Sequence, residues 1–196
     1  PAELTPLTTL TLARLATEAG VPDGVFNVLT GAGGDVGTSL AGHRDVDVVT
    51  FEFENVPVTA LGPVAEAKPF HPPVPALAAS QDRLDEKNLF RKLKIPTPGY
   101  AAVDSLADLQ AAARKVGVPG VLKTRRLGYD GRGQFVVRSA ADLETAWAAL
   151  GSVPLIYEAF VEFSREVSII GARSTRGETV FYPLAANTHV DGILRH

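Results

Sequence analysis

The stretch that most constrains this chain runs from Val121 to Arg138 and reads VLKTRRLGYDGRGQFVVR. Two apolar, β-branched runs flank the loop Gly128-Tyr-Asp-Gly131-Arg-Gly133-Gln134, so the local expectation is strand, glycine-rich loop, strand. Glycine supplies backbone angles that other residues avoid and lets main-chain amides approach a polyphosphate closely. Lys123, Arg125, Arg126, Arg132 and Arg138 surround the loop against the single carboxylate of Asp130, within a chain of formal net charge -3. Two readings fit these residues alone: a cradle for an anionic ligand, and a solvated hairpin with an arginine-rich face. A Walker A loop is excluded, because the order G-x-x-x-x-G-K-[ST] is absent.

Composition narrows the chemistry further. At 196 residues, 45% hydrophobic and 21% charged, the chain reads as an ordinary globular protein with one substantial core or two small ones. Zero cysteines exclude a disulfide framework, a thiolate metal site and a cysteine nucleophile. No apolar run approaches the roughly 18 residues that cross a bilayer, and no signal peptide precedes the first helix, so the expected compartment is the cytoplasm. The mild negative charge gives no reason to expect a nucleic-acid or membrane partner. The absence of methionine and the opening Pro1 lead us to expect that one end at least has been cut.

Along the chain, Thr5-Pro6 reads as a helix start, with Thr5 as N-cap and Pro6 at the first helical position. Gly20 ends that run, Val25–Leu29 reads as a buried strand, and Gly31, Gly33, Gly34 and Gly37 open a short helix ending near His43. Val46–Phe53 reads as another strand, so the order suggests a parallel α/β sheet. Helices are expected at Pro57–Ala67 and Asp82–Leu93, separated by the proline-rich stretch Pro69–Pro75. VDSLADLQAAARKVG and VRSAADLETAWAALG then repeat at a spacing of 34 residues. Each carries Ser and, three positions later, Asp (Ser105/Asp108, Ser139/Asp142), a capping box with Asp in place of Glu. Each helix leads into a strand, Val121–Thr124 and Leu155–Tyr157, as in a small α+β subdomain. Ile169–Ala172 and Val180–Leu184 supply the last strands.

Lys123 on a strand, GYDGRGQ, a helix, and a strand ending in YEAFVEFSREVS together resemble an ATP-grasp fold. VVTFEFENVP (48–57), SQDRLDEK (80–87), IPTPGY (95–100) and FYPLAANTHVDGILR (181–195) extend the likeness, in order and spacing, to the 5-(carboxyamino)imidazole ribonucleotide synthase family of purine-biosynthesis ligases. The resemblance covers about three-quarters of the chain and implies a site. Arg83 and Lys123 would contact ATP phosphate or ribose, and the loop with Gly128, Gly131, Gly133 and Gln134 would fold over the phosphates. Glu158 to Val161 would read adenine through the backbone; the family often has a second Glu where this chain has Ala159, which matters little for a backbone contact. Glu166 would bind the ribose hydroxyls, and His189 matches a nucleotide-site histidine. Tyr129, Asp130 and Arg132 match residues facing bicarbonate and the imidazole ribonucleotide. Glu54, with Glu52 as the weaker candidate, matches a carboxylate near that second substrate. Taken singly, Glu166 beside Arg165 reads as a surface ion pair, Arg83 as a solvated helix residue and His189 as part of a turn; the joint occurrence of the motifs favours the site.

Residues 1–47 resemble instead the coenzyme-binding part of an NAD(P)-dependent aldehyde dehydrogenase. There Glu3 matches the carboxylate on the adenosine ribose and the Gly31–Gly37 turn the loop beside the cofactor. The preceding lysine, the general-base Glu and the catalytic Cys have no counterpart, so scaffold is favoured over hydride chemistry. The identity changes at Asp45–Val48, and the chain reads as a chimera.

The expected fold class is therefore α/β: a parallel Rossmann-like N-terminal part followed by an incomplete ATP-grasp fold. The expected division is 1–47, then 48–102 as the end of a Rossmann-like domain, 103–164 as the small ATP-grasp subdomain, and 165–196 as the start of the large one. The implied function is ATP-dependent carboxylation of 5-aminoimidazole ribonucleotide with bicarbonate, in a fragment inactive on its own. A non-catalytic nucleotide-binding or dead fragment is the alternative, and an NAD-binding remnant the third reading. Implied cofactors are ATP and Mg2+, with the Mg2+ ligands expected beyond His196 and no metal site within the chain. The implied partners are the small-molecule substrates ATP, bicarbonate and 5-aminoimidazole ribonucleotide, with a homodimer left open.

Overall fold

The computed structural model describes residues 6–51, 53–128, 132–151, 153–190 and 193–195. The chain forms two compact units, 1–78 and 79–196, which are taken one at a time.

In the first unit, helix α1 (Leu7–Glu18) starts one position later than expected: Pro6 is its N-cap, and Thr5 lies outside the described residues. Gly20, at φ +90°, follows its end. A π-helical turn (Gly33–Gly37) leads into α2 (Thr38–Ala41), so the expected short helix after the glycines is present. The expected strand at Val25–Leu29 is not. Val25, Phe26 and Leu29 stay exposed, and among the described residues no strand pairs with them. An apolar run without a ladder partner has no reason to extend, because its amides then go to water or to turns. The expected strand over 46–53 shrinks to one parallel bridge, Val49 with Phe70, in which the Val49 amide donates to Pro69 O and its carbonyl accepts from His71 N, both at 3.0 Å. The parallel Rossmann-like sheet expected here is thus reduced, among the described residues, to that bridge. Helix α3 (Val58–Ala65) matches expectation, and Val64, Phe70 and Leu77 are its unit's buried apolar residues. Helix α4 (Val74–Gln81), which runs across the division at residue 78, follows the proline-rich stretch and was not foreseen.

The second unit is built on α5 (Arg83–Lys92) and a four-stranded antiparallel sheet. Its strands are β1 (Tyr100–Val103), β2 (Gly120–Thr124), β3 (Gln134–Val137) and β4 (Leu155–Ala159), in the order β1-β4-β2-β3. Helices α6 (Leu106–Val116) and α7 (Leu143–Leu150) supply the two repeats. Ser105 caps α6, its Oγ accepting from the Asp108 amide at 3.1 Å, while Asp108 accepts in turn from the Asp104 amide. At Ser139 the full reciprocal box forms, ahead of a 3-10 turn (Ala140–Asp142) that opens α7.

Strand alternation then sorts the sheet's two faces. Leu122, Val137, Leu155 and Tyr157 join Val103, Leu109, Ala112, Ala113, Leu143 and Ala146 in the core under the two helices. Gly120 is required beside Tyr157: a Cβ there would overlap the phenol ring, whose hydroxyl donates to Gly117 O at 2.9 Å. The opposite face carries Val121, Lys123, Ile156 and Glu158, and there the chemistry gathers.

Beyond β4, three short antiparallel pairs follow: β5 (Glu166–Ser168) with β8 (Ala185–Asn187), β6 (Gly171–Arg173) with β7 (Thr179–Phe181), and β9 (His189–Val190) with β10 (Ile193–Leu194). The strands expected at 169–172 and 180–184 are thus present with shifted ends. Among the described residues no helix is long and apolar enough to cross a membrane.

Candidate active site

Lys123 sits near the end of β2, in register with Gln134 at the start of β3, so the strand pair places it directly beside the closing residue of the glycine-rich loop. Cross-strand partners have Cα atoms about 4.5–5.5 Å apart, so Lys123 and the closing residue of the loop are neighbours. The Lys123 ammonium reaches diagonally across the sheet to Glu158 on β4, with Nζ 3.2 Å from Oε2. Lys87 of α5 reaches the same oxygen at 3.3 Å. The Glu158 side chain is 8% exposed, so its charge is buried and balanced by two cations.

The neck of the loop is moored to the N-terminus of α5. The Arg83 amide donates to Arg125 O at 3.0 Å, its Nε to Thr124 O at 3.2 Å and its Nη2 to Gly128 O at 3.0 Å. Arg83, expected to face the nucleotide, therefore holds backbone carbonyls on both sides of the neck. Asp82 is the N-cap of α5, accepting from the Leu84 amide at 2.9 Å, and also takes Arg125 Nε at 2.8 Å and Arg126 Nε at 3.4 Å. Burial alone would raise the Asp82 carboxyl. The Arg125 hydrogen bond, the Leu84 amide and the guanidinium charges outweigh it and hold the group below the usual carboxylate value. The same hydrogen bond pushes Arg125 higher.

Gly133, at φ +71°, returns the chain into β3, and its carbonyl accepts from the Thr124 amide at 2.8 Å. A Cβ there would lie 2.6 Å from Thr124 Oγ1, so both backbone conformation and space require glycine. Thr124 Oγ1 is buried without a hydrogen-bond partner among the described residues. Beside this neck, Asp82, Thr124, Arg125, Arg126, Leu127 and Val153 border a cleft of about 570 Å³.

Two of the remaining expected site residues come together. Glu166 and His189 do meet: His189 Nδ1 lies 3.3 Å from Glu166 Oε1, and Asn187 Nδ2 donates to the same oxygen at 3.0 Å. The bland pairing of Glu166 with Arg165 is not among the described ion pairs. Val161 is exposed just after β4, where the Ala159 amide donates to Gly99 O and the Phe160 amide to Pro119 O. Arg132 and Gln134 are exposed, and Glu54 is exposed at a turn of the first unit. Tyr129, Asp130, Gly131, Glu52 and Glu3 lie outside the described residues. Among the described residues no three His, Asp or Glu side chains gather as a metal site.

Three participants escaped the sequence reading: Asp82, Arg125 as its partner, and Lys87. A signal for Lys87 was available, because Arg83 and Lys87 are i and i+4 on α5 and so project from one face of that helix. That face is the one laid against β2 and β4.

Comparison with known proteins bears on what this arrangement serves. The ATP-grasp domain model matches residues 88–196, more than half of the chain. The N5-carboxyaminoimidazole ribonucleotide synthase of Pseudomonas aeruginosa is 46% identical over 200 residues, covering 94% of this chain and 56% of that protein. Among solved structures, an ADP complex of N5-carboxyaminoimidazole ribonucleotide synthetase superposes with TM-score 0.78 at 36% identity, over 90% of this chain and 46% of that one. The Aspergillus clavatus enzyme, solved in complex with ADP and 5-aminoimidazole ribonucleotide, gives TM-score 0.76 at 25% identity, over 94% of this chain and 52% of that one. The chain thus spans about half the length of the relatives it matches. The aldehyde dehydrogenase family model matches residues 1–53. That likeness is short, and the ligase relative that covers 94% of the chain extends into the same stretch without supporting it. On the match over residues 88–196, the chain belongs to the ATP-grasp family.

Proposed function

We propose that this chain provides the ATP-binding portion of an N5-carboxyaminoimidazole ribonucleotide synthase, the ligase that uses ATP to carboxylate 5-aminoimidazole ribonucleotide with bicarbonate. The observation that carries the reading is the placement of Lys123 on β2, opposite Gln134 at the end of the glycine-rich loop and beside buried Glu158 on β4. Lys123 supplies a mobile ammonium for the phosphates, and the loop supplies main-chain amides as it folds over them. The backbone from Glu158 to Val161 contacts adenine, and Glu166 with His189 forms the ribose end. Arg83 contributes by holding the loop neck at Thr124 and Gly128. Tyr129, Asp130 and Arg132 are assigned to the second substrate and bicarbonate.

Catalysis of this kind is positioning and charge neutralisation, with little covalent work for the protein. Mg2+ would supply further charge neutralisation at the phosphates; among the described residues no three His, Asp or Glu side chains gather to hold it, and the contribution of this chain comes from lysine, arginine and backbone amides.

Residues 1–47 are a scaffold segment of aldehyde dehydrogenase-like sequence, joined to the ligase-like part at Asp45–Val48. The match over residues 1–53 favours this origin, and a cleft of about 420 Å³ beside the Gly31–Gly37 turn is where NAD would bind if the segment kept that role. Calorimetric titration with ATP, ADP and NAD, each with and without Mg2+, tests both halves of the reading. Saturable ATP and ADP heats with no NAD heat are expected. Binding of NAD in place of the adenine nucleotides would reverse the assignment.

A further inference from the structure

We propose that Lys87 is a positioning residue that keeps Glu158 neutralised while Lys123 turns to the phosphates of a bound nucleotide. The inference rests on the ATP-site reading above, and it begins from a conflict in the geometry. Lys123 stands across the strand pair from Gln134, the closing residue of the glycine-rich loop, yet its Nζ is already engaged, 3.2 Å from Glu158 Oε2. To serve a polyphosphate it must leave that oxygen. A carboxylate 8% exposed and stripped of its cation is strongly disfavoured, which would trap Lys123 where it is.

Lys87 removes the trap. Its Nζ stands 3.3 Å from the same oxygen, so Glu158 remains paired when Lys123 departs. Two ammonium groups on one carboxylate oxygen also repel each other, which eases the release of one of them. The two lysines differ in burial and anchoring. Lys87 is 15% exposed and rises from α5, whose N-terminus is fastened by the Asp82–Arg125 pair and three Arg83 hydrogen bonds. Lys123 is 27% exposed, at the open end of β2 beside the loop.

The test compares ATP with adenosine, which lacks phosphates, as ligands of the purified chain and of the variants Lys87→Met, Lys87→Arg, Glu158→Gln and Lys87→Met/Glu158→Gln. Lys87→Met is expected to weaken ATP about tenfold or more and adenosine less than about twofold, a selective loss that a general packing defect would not produce. Lys87→Arg, which keeps the charge, restores the ratio of the two affinities. On the Glu158→Gln background there is no buried charge to neutralise, so Lys87→Met no longer changes that ratio. An equal loss for both ligands, or a selective loss that persists with Glu158→Gln, overturns the inference.

A second measurement needs no variant. In the wild-type chain, saturating ATP is expected to slow acetylation of Lys123 by acetic anhydride and to leave Lys87 unaltered, and equal protection of both lysines overturns the inference. A wild-type chain that binds adenosine but not ATP, or neither, would instead contradict the ATP-site reading on which the inference stands.

Discussion

Asp82 joins the start of α5 to the neck of the glycine-rich loop. Its carboxylate caps α5, pins Arg125 and Arg126, and thereby fixes the ends of the loop neck that Arg83 bridges. Because its native carboxyl titrates below the unfolded value of about 3.9, its stabilisation is complete above about pH 4 and is lost as pH falls through the native value. Asp82→Asn is therefore expected to cost about 1.5–3 kcal/mol at pH 7, the range for hydrogen bonds to a charged group. Melting curves of variant and wild type should converge as the pH is lowered through the acid range below about 3.9. A gap that stays constant across that range would show that the charge plays no part. The sequence exposed Asp82 only as a helix start. Its second role depends on Arg125, 43 residues away, a contact that no local pattern encodes. Lys87 was hidden for the same reason: its partner Glu158 lies on a strand whose neighbours only the tertiary fold defines.

Among the elements, the repeated helices were the most legible, because a capping signal and an apolar periodicity agree over each of them. Ser139 and Asp142 form the reciprocal box, and Asp142 accepts from the Arg138 and Ser139 amides at 2.8 and 2.9 Å. Ser139→Ala should lower stability by about 1 kcal/mol, read as a shift in the denaturation midpoint without change of slope. No shift would mean that the box is satisfied equally well by water. The strands of the first unit were read less well. Val25–Leu29 has the composition of a buried strand, but composition cannot supply the ladder partner that makes one, and the run remains irregular and exposed. Helix α4 was missed because Pro69–Pro75 signals a break and conceals the start at Val74. The loop from Gly128 to Gln134 was legible as glycine-rich and cationic, with an anion cradle and a solvated hairpin both open, whereas the mooring of its neck by Arg83 to the carbonyls of Thr124 and Gly128 was not.

At the scale of the whole molecule, the two units differ in how they are buried. No residue of α1 is buried, while Leu122, Leu155, Ile156 and Tyr157 of the second unit are fully buried. Hydrogen exchange should therefore find the β2 and β4 amides exchanging only through large openings, with α1 exchanging through local fraying. Equal protection of the two regions would mean that α1 has a covering surface in solution. The ligase likeness was legible over the second unit because its motifs fall on elements that form as read, with Lys123 and Glu158 on paired strands and Glu166 within reach of His189. On the proposed reading, ATP is bound through Lys123 and not through the aldehyde dehydrogenase-like segment. The most direct measurement is calorimetric titration of ATP into the wild-type chain, Lys123→Ala and Glu3→Ala under identical Mg2+. Lys123→Ala is expected to lose ATP affinity by about tenfold or more, while Glu3→Ala binds as the wild type does. Equal weakening by both substitutions, or full affinity in Lys123→Ala, would contradict that reading.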